Sequence, residues 1–241
     1  MRLSPRVATF VVDNQNGQKM KETTLAGVLQ EQSLEAQGYD EIFNRLMDIV
    51  RDKKMDDALG NDIERCILDY LAANPPREFD RFSDKSYLRT YIGRDAATGW
   101  EAIMMSWREG NTTSIHAHPQ FAGYHFADGR FRLEIFEPAG EGKARRVKDI
   151  VVTAPCAFHA IGKTAGFDNH IHRITCLTPT GHSLHVYSDD AQYHTQNSVL
   201  HEQCRVFFLK HLVLCLILCL GPRFGRIVSR YNDKKRSDLI V

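Results

Sequence analysis

Nine of the eleven histidines fall between His116 and His194. In Ser114-Ile115-His116-Ala117-His118, an extended backbone sends alternate side chains to one face. His116 and His118 then point one way, and Ile115 and Ala117 the other. Two imidazoles on one face form a chelate suited to iron, zinc, copper or nickel. A surface histidine pair is the plain alternative. A third imidazole is on offer in His170-Ile171-His172-Arg173-Ile174, where His170 and His172 share a face if the segment is extended. Further on, Ser183-Leu184-His185-Val186-Tyr187 sets Ser183, His185 and Tyr187 on one face and Leu184 and Val186 on the other. Such a row lets a hydroxyl orient an imidazole and the imidazole orient a phenol. Its alternative is a satisfied polar row in a core. It is no nucleophilic triad, because one strand face does not set a serine to attack beside an acid-oriented histidine.

These residues need short strands to hold them, and the chain supplies strand signals from about residue 85. Segments 87–92, 100–107, 114–118, 124–126, 130–136, 150–153, 157–161, 172–177 and 183–187 are rich in β-branched or aromatic residues. Turn signals separate them at Gly93-Arg94-Asp95, Glu109-Gly110-Asn111, Asp128-Gly129 and from Pro138 to Gly142. Regular short strands of this kind predict a sandwich or barrel. Residues 1–82 read as a supporting helical segment. Ile42, Phe43, Leu46, Ile49 and Val50 recur at helical spacing. A second helix is predicted to start at Asn61, with Glu64 completing a capping box, and to stop at Asn74-Pro75-Pro76. Residues 83–195 form the predicted core. Residues 196–241 form a divergent tail whose apolar run, Leu212 to Leu220, is shorter than the roughly 20 residues of a membrane span.

Composition narrows the classes. The chain has 241 residues, 43% of them hydrophobic, which suits one folded domain with extensions. Lys plus Arg is 31 against 30 for Asp plus Glu. That balance argues against a nucleic-acid binder, which needs a basic excess. Six cysteines without a CxxC pair do not make a disulfide scaffold. The apolar run from Val7 to Val12 is short for a signal peptide, so a cytoplasmic protein is expected.

Gly110, five residues, His116-x-His118 and then Gly129 match the first metal motif of the cupin barrel. The acidic position of that motif falls on Ala122 or Gly123, neither of which binds a metal. Three neutral imidazoles would leave a divalent iron its full double charge, favouring an anionic donor such as a thiolate. Within the cupins, the stretch from about Tyr87 to Ser188 resembles the cysteine dioxygenase family of thiol dioxygenases. Tyr87-Leu88-Arg89 looks like its Tyr-x-Arg segment, and Trp107-Arg108-Glu109-Gly110 with Ser114-Ile115-His116-Ala117-His118 looks like its Trp-x-x-Gly and Ser-Ile-His-x-His signature. Ile171-His172-Arg173-Ile174 looks like its Leu-His-Arg-Val, which selects His172 over His170. Ser183-Leu184-His185-Val186-Tyr187-Ser188 looks like its Ser-Leu-His-x-Tyr-Ser.

The resemblance implies a mainly β cupin barrel, a double-stranded β-helix. It implies one Fe(2+) per chain on His116, His118 and His172. L-Cysteine would bind through its thiolate and amine and be oxidised by O2 to cysteine sulfinic acid, a step of cysteine catabolism. Arg89, beside Tyr87, would anchor the substrate carboxylate. Tyr187 would donate a hydrogen bond to that carboxylate or to dioxygen, held in place by His185 and Ser183. Trp107, His125, Phe126 and Phe136 are expected in the barrel core or wall, and His194 on a loop or the pocket rim. The chain departs from the family in lacking the cysteine after the HxH that cross-links to the tyrosine in many animal members. Cys176 stands where an asparagine is usual, and the tail matches no family strand. The small-molecule partners are a thiol and O2, with no nucleic acid, no membrane span and a monomeric state expected. Alternatives are a dioxygenase for another thiol acid such as 3-mercaptopropionate, a non-catalytic metal-binding cupin sensor, or a zinc or nickel cupin.

Overall fold

The computed structural model describes residues 9–11, 39–140, 142–163, 166, 168–189 and 201–202. His194, the stretch Leu212 to Leu220 and almost all of the expected tail lie outside them, as do most residues before 39.

Two antiparallel sheets carry the fold. The first has the order β1 (Thr9–Val11), β2 (Leu88–Arg94), β3 (Glu101–Arg108), β10 (Thr180–Tyr187), β5 (Phe121–Asp128) and β8 (Cys156–Ile161). The second has β11 (His201–Glu202), β7 (Lys143–Thr153), β6 (Arg130–Pro138), β9 (Asn169–Cys176) and β4 (His116–His118), with β11 joining β7 in parallel. From β3 onward the chain passes repeatedly between the sheets. This is the double-stranded β-helix of the cupin fold, mainly β as expected.

Strand β3 is buried on both faces, which explains its nearly continuous apolar run. Ile103, Met105 and Trp107 enter a core with Tyr124, Phe126, Phe131, Leu133 and Tyr187. Ala102 and Met104 face the other way, into a second core with the helices. The same alternation on β10 sends Leu184 and Val186 toward the helices and Tyr187 into the first core.

Helix α1 (Tyr39–Val50) buries Ile42 and Leu46, and α2 (Asp57–Ala73) buries Leu59, Ile63, Ile67 and Leu71. Each fully buried aliphatic side chain of this kind contributes about 1.5–3 kcal/mol. The start of α2 differs from the sequence expectation. Asp56 is the N-cap, its carboxylate accepting from the Ala58 and Leu59 amides, so the helix begins before Asn61. Glu64 makes no capping box; its carboxylate reaches across to the His159 ring on β8. Residues 9–11, which carry no legible strand period, pair with β2. Between β5 and β6, Gly129 has a φ of +86°, and a Cβ there would meet the Gly181 Cα and Thr180 carbonyl at 3.1 Å. Only glycine makes that turn without strain.

Candidate metal centre

The second sheet supplies three imidazoles to one point. His116 on β4 lies directly opposite His172 on β9, and His118 is two residues along β4. The ligating atoms of His116, His118 and His172 all lie within 4.8 Å of one another. No carboxylate or thiol joins this group among the described residues.

The hydrogen bonds settle which nitrogen each ring can offer. His116 Nδ1 donates to the Ser114 carbonyl at 2.8 Å, and His118 Nδ1 donates to the His170 carbonyl at 3.3 Å. A carbonyl only accepts, so each Nδ1 carries the proton and each Nε2 keeps its lone pair. Burial drives the His116 pKa down to about 4 and those of His118 and His172 well below the usual histidine range. The rings are therefore neutral at physiological pH, the form that binds a metal. The Nε2 of His118 is buried and has no hydrogen-bond partner. A lone pair left bare in a core is costly, and a divalent cation satisfies it. The residues fit a metal, with positions open for a substrate.

The first sheet faces this point with a hydrogen-bonded row. The Trp107 indole donates to Ser183 Oγ at 2.9 Å, Ser183 Oγ meets His185 Nε2 at 2.8 Å, and His185 Nδ1 meets the Tyr187 hydroxyl at 2.8 Å. The indole can only donate. In the ordering that leaves the Tyr187 proton free to point onward, Ser183 donates to His185 and His185 donates to Tyr187. Burial holds the phenol well above its ordinary pKa and His185 well below its own, so both stay neutral. The Tyr187 and His118 rings stack with centroids 5.4 Å apart. Trp107, expected as core, thus also heads the polar row.

His116, His118, His172, His185, Tyr187 and Arg89 line one cavity. Tyr87, Met105, Thr113, Ser114 and Ile174 complete its wall. The free space between its walls is about 400 Å³, open solvent at the mouth included. Tyr87 stacks on Trp107 with centroids 4.5 Å apart, and burial pushes its phenol up to about 12. Arg89 is 5% exposed and lies with Nη2 4.0 Å from Oε1 of Glu101, which is fully buried.

Two residues near the site are not singled out for it by the sequence. Glu101 is a charged residue directly ahead of the apolar run Ala102-Ile103-Met104-Met105, and that incongruity is its one signal. Tyr124 is buried with its ring centroid 5.0 Å from His172, 5.2 Å from His185 and 5.5 Å from His118. Its position on β5 gave no sign of this. His170, weighed as a rival ligand, stands outside the three-histidine group, with its ring against His172 and Tyr124. Ala122, one of two positions where the cross-linking cysteine would fall, is directly opposite Tyr187, whereas Gly123 is opposite Val186. Phe126 and Phe136 are buried in separate clusters, and His125 is fully buried.

The strand arrangement is a double-stranded β-helix, and its histidine cluster is a three-histidine candidate metal site. No model of a protein family matches the sequence, and no curated protein matches it. Among solved structures, a cupin superfamily protein from Desulfitobacterium hafniense is 10% identical, covering 48% of this chain and 89% of that one, with a TM-score of 0.36. KdgF from Halomonas sp. is 16% identical over 47% of this chain and 90% of its own, with a TM-score of 0.33. A variant oxalate decarboxylase from Bacillus subtilis is 15% identical over 49% of this chain and 29% of its own, with a TM-score of 0.35. Likenesses of this degree carry nothing about chemistry, which rests on the residues above. Among the described residues no helix is long and apolar enough to cross a membrane.

Proposed function

We propose that this chain is a non-haem iron(II) thiol dioxygenase, acting in the cytoplasm as a monomer, that oxidises L-cysteine with O2 to cysteine sulfinic acid. The observation that carries the reading is one cavity holding three neutral imidazoles, the Arg89 guanidinium and the Tyr187 hydroxyl. The motifs shared with the cysteine dioxygenase family support the same assignment.

His116, His118 and His172 would hold the iron. Bound there, ferrous iron supplies a site at which a thiolate and O2 meet and at which O2 is reduced. Both oxygen atoms end on sulfur, so that R–SH and O2 give R–SO2H and no external reductant is consumed. Arg89 binds the substrate carboxylate with a charge-assisted hydrogen bond, which fixes which end of the amino acid faces the histidines. Tyr187, oriented through Trp107, Ser183 and His185, keeps its proton and offers it as a hydrogen bond to bound substrate.

The test is oxygen consumption by the iron-loaded protein with L-cysteine, cysteamine and 3-mercaptopropionate, with sulfinate product identified by mass. L-Cysteine should be the best substrate, because only it has thiol, amine and carboxylate together. 3-Mercaptopropionate as the best substrate would move the assignment to a different thiol acid. Equal turnover of cysteamine would show that carboxylate recognition is not part of the site, and no sulfinate from any thiol would refute the reading.

A further inference from the structure

His170 is one of two non-glycine residues with positive φ among the described residues, at +45°. The other, Asp52, sits in a turn after α1. His170 instead lies inside a strand. Its cause is visible in the register: His116 pairs with His172, but His118 pairs with Asn169 rather than with His170. Two steps along β4 match three along β9, so β9 carries one extra residue there, a β-bulge. Bulges re-aim side chains beside active sites, and glycine is the usual residue for a left-handed position in one.

A histidine in that place makes two contacts with the candidate ligands. Its backbone carbonyl, turned by the bulge, accepts from His118 Nδ1 at 3.3 Å. Its ring Nδ1 lies 3.1 Å from His172 Nδ1. Two neutral imidazoles meeting at these atoms have one proton between them. If His170 holds it, His172 carries its own proton on Nε2 and cannot bind a metal through that atom. If His172 holds it, His172 Nε2 bears a lone pair and His170 Nδ1 is the acceptor. The Tyr124 hydroxyl lies 3.1 Å from the same His170 nitrogen; metal binding through His172 Nε2 requires the second arrangement.

We propose that His170 is a positioning residue that sets tautomer and orientation for two metal ligands, His118 through its carbonyl and His172 through its ring. The proposal rests on His116, His118 and His172 binding a metal, and is independent of which substrate is oxidised.

The experiment measures cobalt(II) and, anaerobically, iron(II) affinity of the full chain by competition with a chelator, together with the visible spectrum of the cobalt form. The parent is compared with His170→Gly and His170→Asn. Glycine adopts the left-handed backbone freely, so it keeps the carbonyl contact to His118 and loses only the ring. Affinity should fall by about 10- to 100-fold, with a changed cobalt spectrum, as when other groups that orient metal-bound histidines are removed. Asparagine tolerates the same backbone and places an accepting oxygen where the histidine Nδ1 stood, so it should recover most of the affinity. A glycine variant with parental affinity and spectrum would overturn the proposal. So would equal weakening by glycine and asparagine, which would make the ring a space-filling wall. A parent that binds neither ion would overturn the metal site itself, whereas parental metal binding without cysteine oxidation would refute only the proposed reaction.

Discussion

Removing Arg89 should do two separable things, and the structure says how large each is. Its guanidinium and the Glu101 carboxylate approach to 4.0 Å with side-chain exposures of 6% and 0%. Unit charges at that separation attract by about 4 kcal/mol at an effective dielectric of 20. Deleting one member of a buried ion pair costs about 3–5 kcal/mol. Arg89→Ala should therefore lower the unfolding free energy by roughly that amount, whatever its part in catalysis. The loss of one charge-assisted bond to a substrate carboxylate should add about 2–4 kcal/mol on the binding side, or about 30- to 1000-fold in KM for L-cysteine. A single variant mixes the two effects. The double variant Arg89→Met/Glu101→Gln removes both charges together, and neutral replacement of a whole buried pair is often close to neutral in stability. Denaturant unfolding should show the double variant recovering most of the stability lost in Arg89→Ala. Oxygen uptake against L-cysteine should show that it does not recover KM, while iron content matches the parent. Cysteamine, which has no carboxylate, should respond little to either variant. A double variant with parental stability and parental KM for L-cysteine would refute the anchor and leave Arg89 as the neutralising partner of Glu101.

Other outcomes follow from the same geometry. His116→Ala, His118→Ala and His172→Ala should each lose iron and activity, measured by metal analysis and oxygen uptake; an iron-replete, active His172→Ala protein would contradict the ligand set. Tyr187 should stay unmodified, because Ala122 opposite it carries no sulfur; an intact mass with a hydrogen deficit, traced to a thioether at Tyr187, would show that another cysteine reaches it. His125 makes stability pH-dependent: burial lowers its pKa from 6.5 to about 4, so below pH 6.5 the unfolded chain takes up a proton that the folded chain refuses until about pH 4. Its stabilising contribution is complete above that window and falls with decreasing pH, by up to about 1.4 kcal/mol per pH unit within it. His125→Asn, which can keep the donor to the Leu184 carbonyl, should show a correspondingly shallower loss of unfolding free energy between pH 6.5 and 4; an unchanged slope would mean that this ring does not resist protonation.

What was legible in the sequence is what a strand's period of two encodes. His116 and His118 share a face because β4 is extended across them, and Ser183, His185 and Tyr187 form a hydrogen-bonded row because β10 is regular there. What was not legible depends on register and backbone carbonyls. The same period puts His170 beside His172 as an equal candidate, and only the bulge against β4 separates them. Tyr124 and Glu101 join the site through strands whose neighbours in the sheet are distant in sequence: β10 lies between β3 and β5. The beginning of α2 is not fixed by capping signals alone: Asp56 and Asn61 are both good caps, and in the fold Asp56 takes the Ala58 and Leu59 amides while Glu64 meets His159 on β8. The proton positions were furthest from view. Whether a histidine offers Nε2 or Nδ1 is set here by the Ser114 carbonyl for His116 and by the His170 carbonyl for His118. Spacing can name the ligands of such a centre, but it takes the folded backbone to make them ligands.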